Sequence, residues 1–272
     1  MSGPGYRISD LYHKFKGSEW DPWETYLMRS NSCKFVIVRD NLTSRNLKNK
    51  KIDAQFLGNP MMDFVQDKKI DLGFFNGYKR LILLIGSRFP EAYNNFKIFL
   101  SSLNEFHYPQ KCIILMPLSS NANINKIEKQ LINYKFVSDQ QSVFLIGEES
   151  IWVKNNMTLL IARNTFNQWA YLAEIGLGNA GTATEQICGL GIPVLSLPGK
   201  GPQFTKSFAM RQQRLLGGSA FVCRNKNIFK EKLFLLLSNK KLRSQKGKIG
   251  RRRMGPSGAS QKIVDYINLK LF

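Results

Sequence analysis

Gly86-Ser87-Arg88 stands directly after the apolar run 81–85 and before Pro90-Glu91, where a helix is expected to begin. A glycine there lets backbone come close to a ligand. The Ser87 hydroxyl can bond an oxygen, and the Arg88 guanidinium can grip a phosphate through two parallel hydrogen bonds. The run Gly178-Asn179-Ala180-Gly181-Thr182-Ala183-Thr184-Glu185-Gln186 has a similar character. Its glycines permit a tight turn, Thr182 is expected to cap the following helix, and that helix end would turn free amides toward an anion such as a diphosphate. Glu185 falls in the first turn, where its carboxylate either accepts two ribose hydroxyls or complements the helix dipole. A third loop, Leu197-Pro198-Gly199-Lys200-Gly201-Pro202-Gln203-Phe204-Thr205, offers the Lys200 charge and, in Gln203, both a donor and an acceptor for sugar hydroxyls. Arg211, Gln212, Gln213 and Arg214 lie on the helix beyond it. Each loop alone also reads as an ordinary turn; together they point to a phosphate-bearing, hydroxyl-rich ligand.

Loops of this kind need a rigid frame. Short apolar and β-branched runs predict strands over residues 34–38, 54–57, 81–85, 112–116, 143–146, 158–162, 192–197 and 220–223. Between several of them, amphipathic spacing predicts helices over 91–105, 124–133, 182–190, 205–216 and 228–238. Apolar strands joined by such helices specify an α/β fold, a Rossmann-like parallel sheet flanked by helices. In such sheets ligands bind beyond the carboxyl ends of the strands, where the three loops fall. Gly58-Asn59-Pro60 punctuates the chain as a turn or hinge. It divides the sequence into a short segment, 1–60, with too few strands to close a parallel domain, and a continuous α/β series, 61–272. A last helix, opened by Pro256 and Ser257, is expected to bury Ile263, Ile267 and Leu271 at their four-residue spacing.

The three loops resemble the C-terminal, nucleotide-sugar-binding half of lipid-A-disaccharide synthases, a GT-B glycosyltransferase family built of two Rossmann-type halves. Gly-Ser-Arg after a strand, Gly-Thr-Ala-x-x-Glu opening a helix and a buried x-Pro-Val-Leu strand carry the likeness. Gly58-Asn59-Pro60-Met61-Met62-Asp63 resembles the family's interdomain segment, which has His where Asn59 stands here. The resemblance covers about residues 30–272. It implies that Glu185 binds the ribose, Gly181 and Thr182 the diphosphate, and Gln203 the donor sugar, with Gly86, Ser87 and Arg88 lining the nucleotide cleft. It implies a UDP-sugar as donor substrate, no metal or other cofactor, and transfer of a hexosamine-type sugar to a lipid or glycan acceptor. It also implies a cytoplasmic protein peripheral on the inner membrane face. Ile85 and Ala180 depart from the family's usual Pro and Ser, which puts lipid A precursors as substrate in question. The catalytic base lies in the family's N-terminal half, of which segment 1–60 is a remnant. No catalytic residue is therefore assigned, and the chain reads as a fragment or a split-gene product.

Bulk properties bound the alternatives. The net charge is +21, and residues 224–254 hold twelve Lys or Arg against Glu231 alone. Such charge favours anionic partners, among them an anionic membrane surface. No nucleic-acid-binding motif accompanies it, so a basic nucleic-acid-binding domain is the weaker reading. The four cysteines are scattered, with His13 and His107 the only histidines, so a metal site is not expected and the thiols read as buried apolar residues. Two further readings stay open. One is a nucleotide-sugar epimerase of the same fold, which shares a Gly-Asn-x-x-x-Asp linker but usually has paired acids where this chain has Glu185-Gln186. The other is an inactive nucleotide-binding fragment.

Overall fold

The computed structural model describes residues 20–63, 75–144, 146–199 and 204–271. The chain divides into two compact units, residues 1–64 with 252–272, and residues 65–251. In the first unit, α1 (Pro22–Arg29) opens on a capping box in which the Asp21 amide donates to the Glu24 carboxylate at 2.6 Å. There follow β1 (Val36–Ile37), α2 (Asn41–Asn49) and β2 (Ala54–Gln55), with β1 and β2 parallel. Asp40 caps α2 by accepting the Thr43 amide at 2.8 Å. Val38, Leu47, Ile52 and Ala54 form the unit's small core.

The second unit holds β3 (Tyr78–Leu84), α3 (Glu91–Asn104), β4 (Lys111–Leu118), α4 (Ile124–Asn133), β5 (Val137–Ser138), β6 (Ser150–Lys154) and β7 (Met157–Arg163). It continues through α5 (Phe166–Trp169), β8 (Ile175–Gly178), α6 (Thr182–Gly189), β9 (Val194–Ser196), α7 (Lys206–Leu215), β10 (Ala220–Val222), α8 (Lys226–Ser238) and α9 (Lys240–Met254), of which residues 240–251 belong to this unit. The sheet runs β10-β9-β8-β3-β4-β7-β6-β5 and is parallel except where β6 pairs with β7 and β5. Alternation along β3 sends Leu81 and Leu83 into the core shared with Phe96 and Phe99 of α3 and Phe229 and Leu233 of α8. Gly176 of β8 faces the other way, toward Ile187 of α6 and Val194. From β3 the chain crosses over α3 to β4; from β8 it crosses over α6, on the opposite face, to β9. The strand order therefore reverses between β3 and β8, and the carboxyl ends of these two strands are where sheets of this kind form their ligand crevice.

Residues 143, 144 and 146, expected as part of a strand, are not in one. The Glu148 carboxylate accepts the Phe144 and Ile146 amides at 2.6 and 3.0 Å, which bends this stretch into a loop. The basic stretch is helical in α9, whose two interior glycines meet backbone. A Cβ on Gly247 would lie 1.9 Å from the Gly191 carbonyl oxygen, and one on Gly250 would lie 2.2 Å from that of Cys188.

The C-terminal helix, α10 (Ala259–Leu271), belongs to the first unit, so the second ends at Arg251 rather than at the C-terminus. The Asp63 carboxylate accepts the amides of Gly258, Ala259 and Ser260 at 2.6, 3.1 and 2.7 Å, and so caps α10 from a distant part of the sequence. Burial opposes ionisation of Asp63, but bonds from the Ser260 hydroxyl and these amides outweigh it and hold the carboxyl below its ordinary range. The burial expected of Ile263, Ile267 and Leu271 does not occur. Ala259 alone is buried on this helix, Ile263 and Ile267 are half-buried, and Leu271 is exposed. A two-stranded sheet offers α10 too little apolar surface to cover.

Candidate functional site

The loop after β3 turns at Gly86, whose φ of +93° is a backbone state that side chains disfavour. A Cβ there would stand 3.4 Å from the Asn179 carbonyl oxygen, an ordinary contact, so the backbone conformation rather than the space favours this glycine. Ser87 and Arg88 follow it and are exposed at the start of α3. Beside them, the loop after β8 is joined to β3 by the Asn179 amide donating to the Leu84 carbonyl at 2.9 Å.

Thr182 does not cap α6 as expected. Gly181 is the N-cap, no side chain caps this end, and Thr182 is the exposed first residue of the helix. The leading amides of α6 thus stand without a side-chain acceptor, an arrangement that suits an anion better than a capped end would. Glu185 lies one turn in and is 5% exposed. Cys188, deeper on the same helix, is fully buried, and burial pushes its thiol up to about 12, with the Glu185 charge adding to the effect. Burial likewise lifts Cys112 to about 11 and Cys223 to about 12, so these thiols stay protonated and inert.

Two buried asparagines that sequence reasoning did not single out bind the loops together. Asn179 donates to the Leu197 carbonyl at 2.6 Å and accepts the Leu197 amide at 3.0 Å, which fixes the loop after β9. It also donates to the Asn95 side chain at 3.3 Å, and Asn95 donates to the Ile85 carbonyl at 3.0 Å, which fixes the loop after β3. A signal was available. Asn95 interrupts the apolar stripe of Ala92, Phe96 and Phe99 on α3, where a polar side chain must find a buried partner.

Two more braces come from helices. Glu91 accepts the Phe204 amide at 2.8 Å, and Gln212 donates to the Gly181 carbonyl at 2.9 Å. Gln212 and Gln213, grouped in the sequence with ligand-facing residues, are structural; the Gln213 side chain accepts the Val222 amide at 2.7 Å. Gly86, Ser87, Arg88, Gly181, Thr182 and Glu185 are brought to one edge of the sheet. Gln203, with Lys200, Gly201 and Pro202, lies outside the described residues.

An open hollow of about 420 Å³ lies further along this edge, lined by Ser120, Asn121, Asn123 and Arg163. Arg163 is held by Glu149 at 2.6 Å, so the hollow offers amides and hydroxyls but no uncommitted cation. The β3–β8 crevice is the better anion site, because it joins an uncapped helix end to the Arg88 charge. Among the described residues, no group of three or more His, Cys, Asp or Glu is placed to hold a metal, and no helix is long and apolar enough to cross a membrane.

Solved structures match this architecture over nearly the whole chain. The S. aureus MnaA structure with UDP aligns at a TM-score of 0.59 and 16% identity, covering 99% of this chain and 68% of that one. The UDP-GlcNAc 2-epimerase from Neisseria meningitidis, bound to UDP-GlcNAc, aligns at 0.58 and 17%, covering 98% and 68%. A calicheamicin glycosyltransferase aligns at 0.54 and 12%, covering 100% and 67%. The chain shares the fold of these epimerase and glycosyltransferase structures. At these identities the likeness is one of fold, and it does not single out lipid-A-disaccharide synthases. No protein-family model and no curated protein matches the chain.

Proposed function

We propose that the second unit binds a UDP-sugar in the β3–β8 crevice, as the donor side of a glycosyl-transfer enzyme related to lipid-A-disaccharide synthases. The observation that carries the reading is the pairing of the Gly86–Arg88 loop with the uncapped start of α6, locked together through Asn95 and Asn179. Backbone amides and the helix dipole receive the diphosphate, Arg88 adds charge, and Glu185 accepts the ribose hydroxyls. Gln203 meets the donor sugar, a hexosamine type, and the acceptor is a lipid or glycan at an anionic membrane surface. The presence of UDP and UDP-GlcNAc in two structures of the same fold supports the choice of uridine.

Epimerisation of the sugar is the second reading. A UDP-GlcNAc 2-epimerase shares the fold as well as a glycosyltransferase does, which supports this reading, while Gln186 in place of a second acid weighs against it. Exchange of the sugar C2 proton with deuterated water would establish that reading over transfer.

The shared step, nucleotide binding, is tested first. UDP should raise the melting temperature more than ADP or GDP, since about ten times Kd of ligand stabilises by about 1.4 kcal/mol. Glu185→Ala should cost about 1.5–3 kcal/mol of UDP affinity through loss of charge-assisted bonds. Equal shifts from all three nucleotides, or a variant that loses stability and keeps its affinity, would defeat the assignment.

A further inference from the structure

The basic stretch 224–254 has no part in the crevice, and the structure divides its charges into two groups. Several cations are committed to the fold. Arg243 is 8% exposed, pairs with Glu174 at 2.9 Å, and donates to the Leu236 and Leu237 carbonyls at 2.7 and 2.9 Å. Lys226 and Lys230 pair with Glu105 at 3.4 and 3.0 Å, and Lys246 lies 5.0 Å over the Phe221 ring.

Two others line a cleft of about 310 Å³ at the amino ends of β8 and β9, the sheet edge opposite the crevice. This volume lies at the small end of the ~300–1,000 Å³ typical of small-molecule sites. One wall is apolar, from Ile192 and Pro193; the other is α9, with Lys240, Arg243 and Arg251. Among the described residues, Glu174 is the one carboxylate lining the cleft. Its second oxygen accepts the Arg80 amide at 3.2 Å, so both of its oxygens are engaged. No acid stands on α9 itself. Among the described residues, neither Lys240 nor Arg251 has an acidic partner within ion-pair distance.

The cleft is also held in shape. Gly247 and Gly250 let α9 sit directly on the backbone of Cys188 and Gly191. Arg251 spends its Nε–H on the Leu190 carbonyl at 3.0 Å and lies where a Cβ on Gly191 would come within 2.3 Å. This leaves its terminal nitrogens directed by a fixed stem. A cation positioned, as Arg251 is, by a contact that does not neutralise it is a ready receptor for an anion.

We propose that this cleft binds a phosphate monoester or diester, with the phosphate between Lys240 and Arg251 and an adjoining apolar portion against Ile192 and Pro193. Its source is either a soluble phosphate compound or a lipid headgroup. The site is separate from the nucleotide crevice and does not depend on that assignment.

The full chain is titrated with inorganic phosphate, and separately with phosphatidylglycerol vesicles against phosphatidylcholine vesicles. Lys240→Ala with Arg251→Ala should weaken binding of the effective probe by about tenfold or more, the scale of one lost charged hydrogen bond. Lys248→Ala with Arg252→Ala removes the same charge from exposed positions outside the cleft and should change binding by less than about twofold, as screened surface charge does. Saturable binding of phosphate assigns a soluble ligand, and binding of anionic vesicles alone assigns a headgroup. Lys240→Glu keeps the test open if the double variant does not fold, because Lys240 is exposed at the start of α9. Equal losses in both double variants, or no saturable binding of either probe by the wild-type chain, would overturn the proposal. UDP affinity should stay unchanged in the cleft variants, which separates failure here from failure at the crevice.

Discussion

Asn179→Ala is the substitution that most directly tests whether the ligand loops are held as one frame. The wild-type side chain satisfies the Leu197 amide at 3.0 Å and the Leu197 carbonyl at 2.6 Å, both on a residue 5% exposed, and reaches Asn95 at 3.3 Å. Truncation strands two buried backbone groups, each costing about 1–3 kcal/mol, for a total of about 2–6 kcal/mol. Domain stability is commonly about 5–15 kcal/mol, so the variant should fold but be clearly weakened. Asn179→Asp keeps the acceptor for the Leu197 amide while setting a second carboxylate oxygen against the Leu197 carbonyl, and should be no better. Urea melts followed by circular dichroism give the stability. Titration calorimetry with UDP, well below the melting range, gives the affinity. Loop positioning predicts that affinity falls even where nearly all of the variant is folded. A variant within about 0.5 kcal/mol of wild type in both measurements, the range of ordinary surface substitutions, would refute the frame.

Gly247→Ala should destabilise despite a helix-propensity gain of about 1 kcal/mol, because a Cβ 1.9 Å from the Gly191 carbonyl forces α9 away, and overpacking costs about 1–3 kcal/mol or more. A raised urea midpoint would show that α9 does not sit on that backbone. Asp63 has a depressed carboxyl pKa, so its cap on α10 contributes stability that is fully present above the ordinary value of 3.8 and is lost as pH falls through the lowered one. Hydrogen exchange of the α10 amides should accelerate over that acid window in the wild type. In Asp63→Asn the acid step should be gone; an unaltered step would place the titrating group elsewhere.

The legible parts of this fold are those where one periodicity dominates. α4 matches its expected bounds, 124–133, because Ile127 and Leu131 mark a clean buried stripe. β8 was not foreseen, although it carries the central ligand loop. Its sequence is Ile-Gly-Leu-Gly, and glycine counts against a strand when only propensity is read. The structure supplies the reason for the glycines: a Cβ on Gly176 would lie 2.7 Å from Val194, so a neighbouring strand fills the space that a side chain would take. α9 was read only as charge for a related reason. Its burial rests on glycine against backbone rather than on an apolar stripe, and this leaves no hydrophobic period to detect. The stripe on α3 marks Asn95 as a residue in need of a buried partner, but that the partner is Asn179, 84 residues away, lies outside any local window.

Charge placement in the crevice also decides which helix end receives the phosphate on the proposed reading. α3 and α6 both begin at this edge, and both turn amides toward the crevice. The first residue of α3 is Glu91, a buried carboxylate that accepts the Phe204 amide and sets negative charge against that helix end. α6 begins with Gly181, Thr182 and Ala183, which carry no charge, and its acid, Glu185, comes at the end of the first turn rather than at the first helical position. A diphosphate is therefore favoured at α6 and disfavoured at α3. Arg88, exposed between them, is left to reach the ligand from the side. Gln212, donating to the Gly181 carbonyl at 2.9 Å, steadies the peptide at this helix end, which no side chain caps.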